Sequence, residues 1–188
     1  MNAIAIQNER LFEMTLKATV IYDDFDFATR AAALLERVAV RVHEVIKWDV
    51  KPWRLDVLKE ASLAGAAREE AADADLLVFA LSQTQSLTPE LTVWLEDWGA
   101  GRQIRDTAIM ILSPRERAAA TPLWHELNRF AGRQGLAFLS SHEVRENGDS
   151  MKFVHQLWQR RQPAAPAFGS PANSPHPTRP PLHSGLNE

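Results

Sequence analysis

Two stretches of this chain contain no polar residue at all: Leu76-Leu77-Val78-Phe79-Ala80-Leu81 and Ala108-Ile109-Met110-Ile111-Leu112. A strand that is apolar on both of its alternating faces has to be covered on both sides. That is the condition of a strand in a parallel sheet flanked by helices. The two runs therefore point to an α/β layer architecture, and the rest of the chain can be read against it.

Shorter apolar runs alternate with helical patterns around them. Ala18-Thr19-Val20-Ile21-Tyr22 reads as a first strand, and residues 26–38 as a helix with Phe27, Ala31, Leu34, Leu35 and Val38 on one face. Val42 to Trp48 reads as a second strand and Ala61 to Ala74 as a second helix. Between the two apolar strands a third helix has well-marked ends: Thr88 to cap it, Pro89 in its first turn, and Gly99 or Gly101 to end it. Ser113-Pro114-Arg115-Glu116 has the form of a capping box, and Thr121-Pro122 suits the start of a helix running to Ala131. Leu136 to Leu139 reads as a fifth strand, and a last helix over 149–160 carries Met151, Phe153, Val154, Leu157 and Trp158. Five βα units joined by right-handed crossovers make a doubly wound five-stranded parallel sheet with helices on both faces, and the order 2-1-3-4-5 fits best.

Residues 1–161 form one domain on this reading. Residues 162–188 hold seven of the eleven prolines and almost no large apolar side chains, so this segment is expected to be a disordered tail. Pro177-Thr178-Arg179-Pro180 has PxxP spacing, which suits either a solvated tail or an aromatic groove on a partner.

Charge and composition narrow the function. The formal net charge is −3, from 21 basic and 24 acidic residues. The densest basic group is only Lys152, Arg160 and Arg161, so no nucleic-acid partner is expected. The absence of cysteine removes disulfides, thiol catalysis and thiolate metal sites. No run approaches the ~20 apolar residues of a membrane helix, and the apolar stretch Ala3 to Ile6 is too short for a signal peptide. A cytoplasmic protein with no membrane partner is the expectation.

Ligands of open parallel sheets bind outside the carboxyl ends of the strands. That rule selects Asp23-Asp24-Phe25-Asp26, Asp49 to Arg54, Ser82-Gln83-Thr84, Ser113, and Ser140-Ser141-His142. The candidate rim for a metal or ligand is therefore Asp23, Asp24, Asp26, Ser82, Thr84, Ser113 and His142. Asp23 and Asp24 could hold Mg²⁺, a hard cation that takes oxygen ligands. Asp24 or Asp26 could equally cap the first helix and complement its dipole.

With these features in place, the chain resembles the receiver domain of bacterial response regulators. That family has the same doubly wound topology, an acidic pair after strand one, matched by Asp23 and Asp24, and a Ser or Thr ending strand four, matched by Ser113. The resemblance spans roughly residues 17–160 at the level of pattern. It also has departures. The family's phosphoacceptor Asp ends strand three, where this chain has Ser82, and its Lys ends strand five, where this chain has Ser140-Ser141-His142. The resemblance thus implies a degenerate receiver-like domain that does not use phosphotransfer, or a chain that shares the fold alone.

Other chemistries meet obstacles on the same rim. No glycine precedes Gly65, which removes a dinucleotide fingerprint or P-loop after strand one. Asp24-Phe25-Asp26 resembles the DxD of haloacid-dehalogenase-type phosphatases, with Asp24 as nucleophile and Asp26 as acid/base, but Ala28 stands where that family's threonine is expected. His125-Glu126 lacks the second histidine of a zinc-protease motif, and no G-x-S-x-G occurs. Of six tryptophans, Trp94 and Trp98 sit one helical turn apart and are expected in the core, while Trp48 and Trp53, flanking Pro52, are expected near the rim. The third helix has an apolar face wide enough to leave part of it exposed. The leading expectation is a non-catalytic regulatory or interaction module that docks a protein partner or self-associates. The alternatives are a Mg²⁺-dependent phosphatase using Asp24 and Asp26, and a small-ligand or nucleotide binder using Ser82, Thr84 and Ser113.

Overall fold

The structure, a computed structural model, describes residues 14–41, 46–82, 86–104, 106–112 and 121–141. Its elements run β1 (Met14–Tyr22), α1 (Phe25–Arg41), β2 (Ile46–Arg54), a 3₁₀ helix (Leu55–Lys59), α2 (Ala61–Ala72), β3 (Leu76–Ala80), α3 (Pro89–Gly101), β4 (Ala108–Leu112), α4 (Pro122–Gln134) and β5 (Ala137–Ser140). The five strands form one sheet in the order β2-β1-β3-β4-β5, and every pairing is parallel. The doubly wound sheet expected from the two apolar runs is the observed fold. Both runs, β3 and β4, are buried along their whole length. Thr84, the capping-box stretch 113–116, the last helix at 149–160 and the tail at 162–188 lie outside the described residues.

The alternation of β1 divides the interior in two. Leu16, Ala18 and Val20 point to one side, where Phe27, Ala31, Leu34, Leu35 and Val38 of α1 pack on them. Ile21 points to the other side, into a cluster filled by α2, α3 and α4. The apolar stripe read from residues 27–38 is the buried face of α1. Trp94 and Trp98 are 3 % and 0 % exposed, so the broad face of α3 is turned inward and Val93, at 61 %, is its one large hydrophobic residue in solvent.

Local chemistry sets the helix ends. Thr88 accepts from the amide of Leu91 at 3.3 Å and Thr121 from that of Trp124 at 3.3 Å. Each is followed by proline at the first helical position, where no amide hydrogen is needed. Gly135 ends α4 at φ 66°, which lets the amide of Leu136 reach the carbonyl of Ala131 at 2.9 Å.

The end of the second strand is displaced from its expected position. From Ile46 the strand continues past Trp48 to Arg54 and passes straight through Pro52, while 42–45 lie outside the described residues. The pairing explains the tolerance. The amide of Asp75 donates to the carbonyl of Lys17 at 2.9 Å, so the backbone of Lys17 faces β3. By alternation, Leu16, Ala18, Val20 and Tyr22 turn theirs toward β2. In the observed register (Leu16 opposite Trp48) their partners are Lys47, Asp49, Lys51 and Trp53. Ile46, Trp48, Val50, Pro52 and Arg54 turn their backbone groups to the open side. Pro52 thus occupies an edge position where its missing N–H costs no bond within the sheet.

That displacement corrects the rim. Asp49 to Arg54 lie within β2, and the carboxyl end of this strand is continued by the 3₁₀ helix. Trp48 lies mid-strand against the α1 cluster, its indole N–H buried with no acceptor among the described residues. Trp53 points to the opposite side and donates to Glu70 of α2 at 2.9 Å.

Candidate functional site

The order β2-β1-β3 places the point where chain connections diverge between β1 and β3. The connection from β1 leads to α1 on one face, and that from β3 leads to α3 on the other. A crevice at the carboxyl end of such a pair is where this architecture takes ligands.

Asp23 and Ser82 meet there. One oxygen of Asp23 (Oδ1) accepts from the amide of Ser82 at 2.8 Å. The other (Oδ2) accepts from the same amide at 3.0 Å and from the Ser82 hydroxyl at 2.8 Å. The carboxylate is therefore a clamp that holds the first turn after β3 against the end of β1. Asp24 has a different task. Its Oδ1 accepts from the amide of Asp26 at 2.8 Å, and its carbonyl accepts from Phe27 and Ala28 at 3.1 and 3.2 Å. It is the cap of α1, and Asp26 lies exposed in the first turn, where a negative charge complements the helix dipole. Phe25, between the two acids, is 75 % exposed.

Beside this clamp lies a cleft of about 280 Å³ between the 3₁₀ helix and the start of α3. Its apolar lining comes from Leu55, Leu58 and Leu91, and its charged groups include Asp23, Arg54 and Lys59. A second recess of about 190 Å³ shares Asp23, Leu55, Thr88 and Leu91 and reaches Leu123. Arg54 grips Asp56 with two guanidinium nitrogens, one of them at 2.6 Å. Those hydrogen bonds hold the Asp56 carboxyl below its ordinary range and raise the Arg54 guanidinium. Glu90 is also held below the ordinary range, first by its own backbone amide and then by the Thr88 hydroxyl.

The structure therefore brings Asp23, Asp24, Asp26 and Ser82 to one rim, with each of Asp23, Asp24 and Ser82 engaged by a neighbour. Among the described residues, no group of three or more His, Asp or Glu side chains is arranged to hold a metal ion. Thr84, Ser113 and His142 lie outside the described residues. Of the expected rim segment Asp49 to Arg54, Arg54 does line the cleft, while the 3₁₀ helix and the Thr88–Leu91 turn were not expected as rim elements. For the 3₁₀ helix, the displaced end of β2 is the reason. Thr88 was legible as a helix cap, but nothing local reveals that the start of α3 faces β2's end.

No protein-family model matches the chain, and no curated protein does so either. Among the described residues no helix is long and apolar enough to cross a membrane.

Proposed function

We propose that this chain is a non-catalytic regulatory module with a receiver-like fold that works in the cytoplasm through protein–protein contacts. One observation carries the reading: the acidic pair at the end of β1 is occupied with holding the fold. Asp23 takes both donors of Ser82, and Asp24 caps α1. A receiver or a phosphatase would need those oxygens for a cation or for attack on phosphorus. Here Ser82 stands at the end of β3 with its hydroxyl proton directed to Asp23. The surface that remains available on the rim is of the kind that docks a partner: an exposed phenylalanine flanked by acids, beside a cleft with an apolar floor and mixed charge.

The test is a thermal-shift panel with Mg²⁺, a beryllofluoride phosphate mimic and common nucleotides, on the wild type, Asp24→Asn and Asp23→Ala. The module reading expects no ligand-dependent shift. It also expects Asp23→Ala to lose about 1 kcal/mol equally with and without Mg²⁺, since a hydrogen-bonded clamp is removed and not a metal ligand. A Mg²⁺-dependent rise of about 5–10 °C that vanishes in Asp24→Asn would instead mark a real cation site. Turnover of phosphate esters lost in the same variant would make the protein a phosphatase of the Asp24/Asp26 type.

A further inference from the structure

The sheet has two edges, and they differ. β5 is four residues long, whereas β2 is nine and pairs along its whole length with β1, leaving its other side without a strand partner among the described residues. A long open edge is a template for another strand unless it is covered or repels what approaches it. On β2 the residues that would repel are ordered. Lys47, Asp49 and Lys51 share the α2-facing side with Trp53, while Ile46, Trp48 and Val50 share the other.

We propose that the edge of β2 is a self-association surface: a second copy pairs with it antiparallel about a two-fold axis through Val50, joining two five-stranded sheets into one. This deepens the interaction reading by naming a partner, and rests on that reading only for its significance, not for its geometry.

Charge complementarity at fixed register selects a second copy as the partner. Since Ile46, Trp48, Val50, Pro52 and Arg54 turn their backbone groups outward, an antiparallel copy has to set even-numbered residues opposite even-numbered ones. Of the two-fold registers that do so, one centred on Asp49 sets Asp49 against its own copy and Lys47 against the partner's Lys51. One centred on Lys51 sets Lys51 against its own copy. A register centred on Trp48 also sets Lys47 against the partner's Asp49, but it engages only residues 46–50, and one centred on Pro52 sets proline against proline and engages only residues 50–54. Centred on Val50, the whole strand is used and the charges match. Asp49 faces the partner's Lys51, and Lys51 faces the partner's Asp49, in place of the 3.6 Å pair they make within one chain. Lys47 then lies opposite the partner's Trp53, a cation facing an indole, and Trp48 lies opposite the partner's Pro52. The two Val50 residues exchange both backbone hydrogen bonds, as do Ile46 and the partner's Arg54. Trp48 donates to the carbonyl of the partner's Pro52, and the proline gives no bond back. Pro52 and the lysines thus discourage a foreign strand while leaving this one register open.

Sedimentation equilibrium on the full chain, from low to high micromolar concentration, tests the proposal, with circular dichroism to confirm that each variant is folded. The wild type is expected to move from monomer to dimer. Asp49→Lys and Lys51→Asp alone each set like charges opposite one another and should weaken dimerisation by about tenfold or more. The double exchange Asp49→Lys with Lys51→Asp restores the match and should recover the dimer. Val50→Pro, whose lost N–H faces away from β1, should stay folded and become monomeric. A wild type that remains monomeric overturns the proposal, as does a dimer indifferent to the single substitutions or a double exchange that fails to recover it. None of these outcomes alters the ligand panel above, so the two readings fail separately.

Discussion

Asp75, 2 % exposed just before β3, ties three strands together at the amino edge of the sheet. Its carboxylate accepts from the amide of Lys17 at 2.7 Å, its amide donates to the carbonyl of Lys17, and its carbonyl accepts from Ala108 at 3.0 Å. Asp75→Ala would leave a partly buried amide of β1 without its acceptor and is expected to cost about 1–3 kcal/mol in a denaturant melt. Asp75→Asn, which keeps an oxygen there, should cost less. In the sequence this aspartate is merely a polar residue ahead of an apolar run, because its value comes from β1, 58 positions away. Charge at the other edge has a different signature. Asp56 and Glu90 both titrate below their ordinary values, Asp56 through Arg54 and Glu90 through its own amide and Thr88. A depressed carboxyl stabilises the fold above its unfolded value, near ~4 for these residue types, and loses that contribution as pH falls through the folded value. Arg54→Met should therefore flatten the acid side of the stability–pH profile, followed by thermal melts at stepped pH. The effect is small, because both carboxyls are exposed to solvent.

At the scale of elements, α2 and α3 show how a weak helix is held. α2 offers mostly alanine to the interior, with Ala67 and Ala71 fully buried. Small side chains let α3 approach, and two indoles then reach across: Trp94 donates to the carbonyl of Ala64 at 3.0 Å and Trp98 to that of Ala71 at 2.9 Å. Ala71 lies in the last turn of α2, where carbonyls have no partner within the helix. Trp98→Phe keeps a ring but removes the indole donor, leaving that carbonyl to the Ala74 amide at 3.2 Å, and is expected to cost about 1–2 kcal/mol by chemical denaturation. One position on, Gly99 meets α4. A Cβ there would stand 3.1 Å from the Phe130 ring and 3.2 Å from Gln134, so Gly99→Val should cost about 1–3 kcal/mol through overpacking. The burial of both tryptophans was legible in their spacing, as were β3, β4 and the caps of α3 and α4, since each depends on adjacent residues. β2 was not legible. Pro52 inside a run of alternating residues argues against a strand unless that run is known to be an edge, and edge position is a property of the assembled sheet. The same displacement hid the cleft, whose one wall is the 3₁₀ helix that follows β2. The Asp23–Ser82 clamp was half legible: strand-end position brought both residues to one rim, while the hydrogen bonds between them needed the fold.

For the whole molecule, the sheet implies a gradient of stability with a readable pattern. β3 and β4 are buried on both faces, so their amides should exchange with solvent deuterium only through global unfolding. In β2 protection should alternate along the chain. The amides of Lys47, Asp49, Lys51 and Trp53 are satisfied by β1, whereas those of Trp48 and Val50 face the open edge. In dilute solution these two should exchange fast between slow neighbours. Raising the protein concentration should protect Trp48 and Val50, together with Ile46 and Arg54 at the strand ends, if copies pair along this edge, because the odd-numbered amides of the strand are already bonded. Protection at every concentration would mean that another part of the same chain covers the edge, and rapid exchange at every concentration would leave the edge open. The measurement thus reads the strand's orientation from its odd-numbered amides and its occupancy from its even-numbered ones, in a single experiment on the unmodified protein.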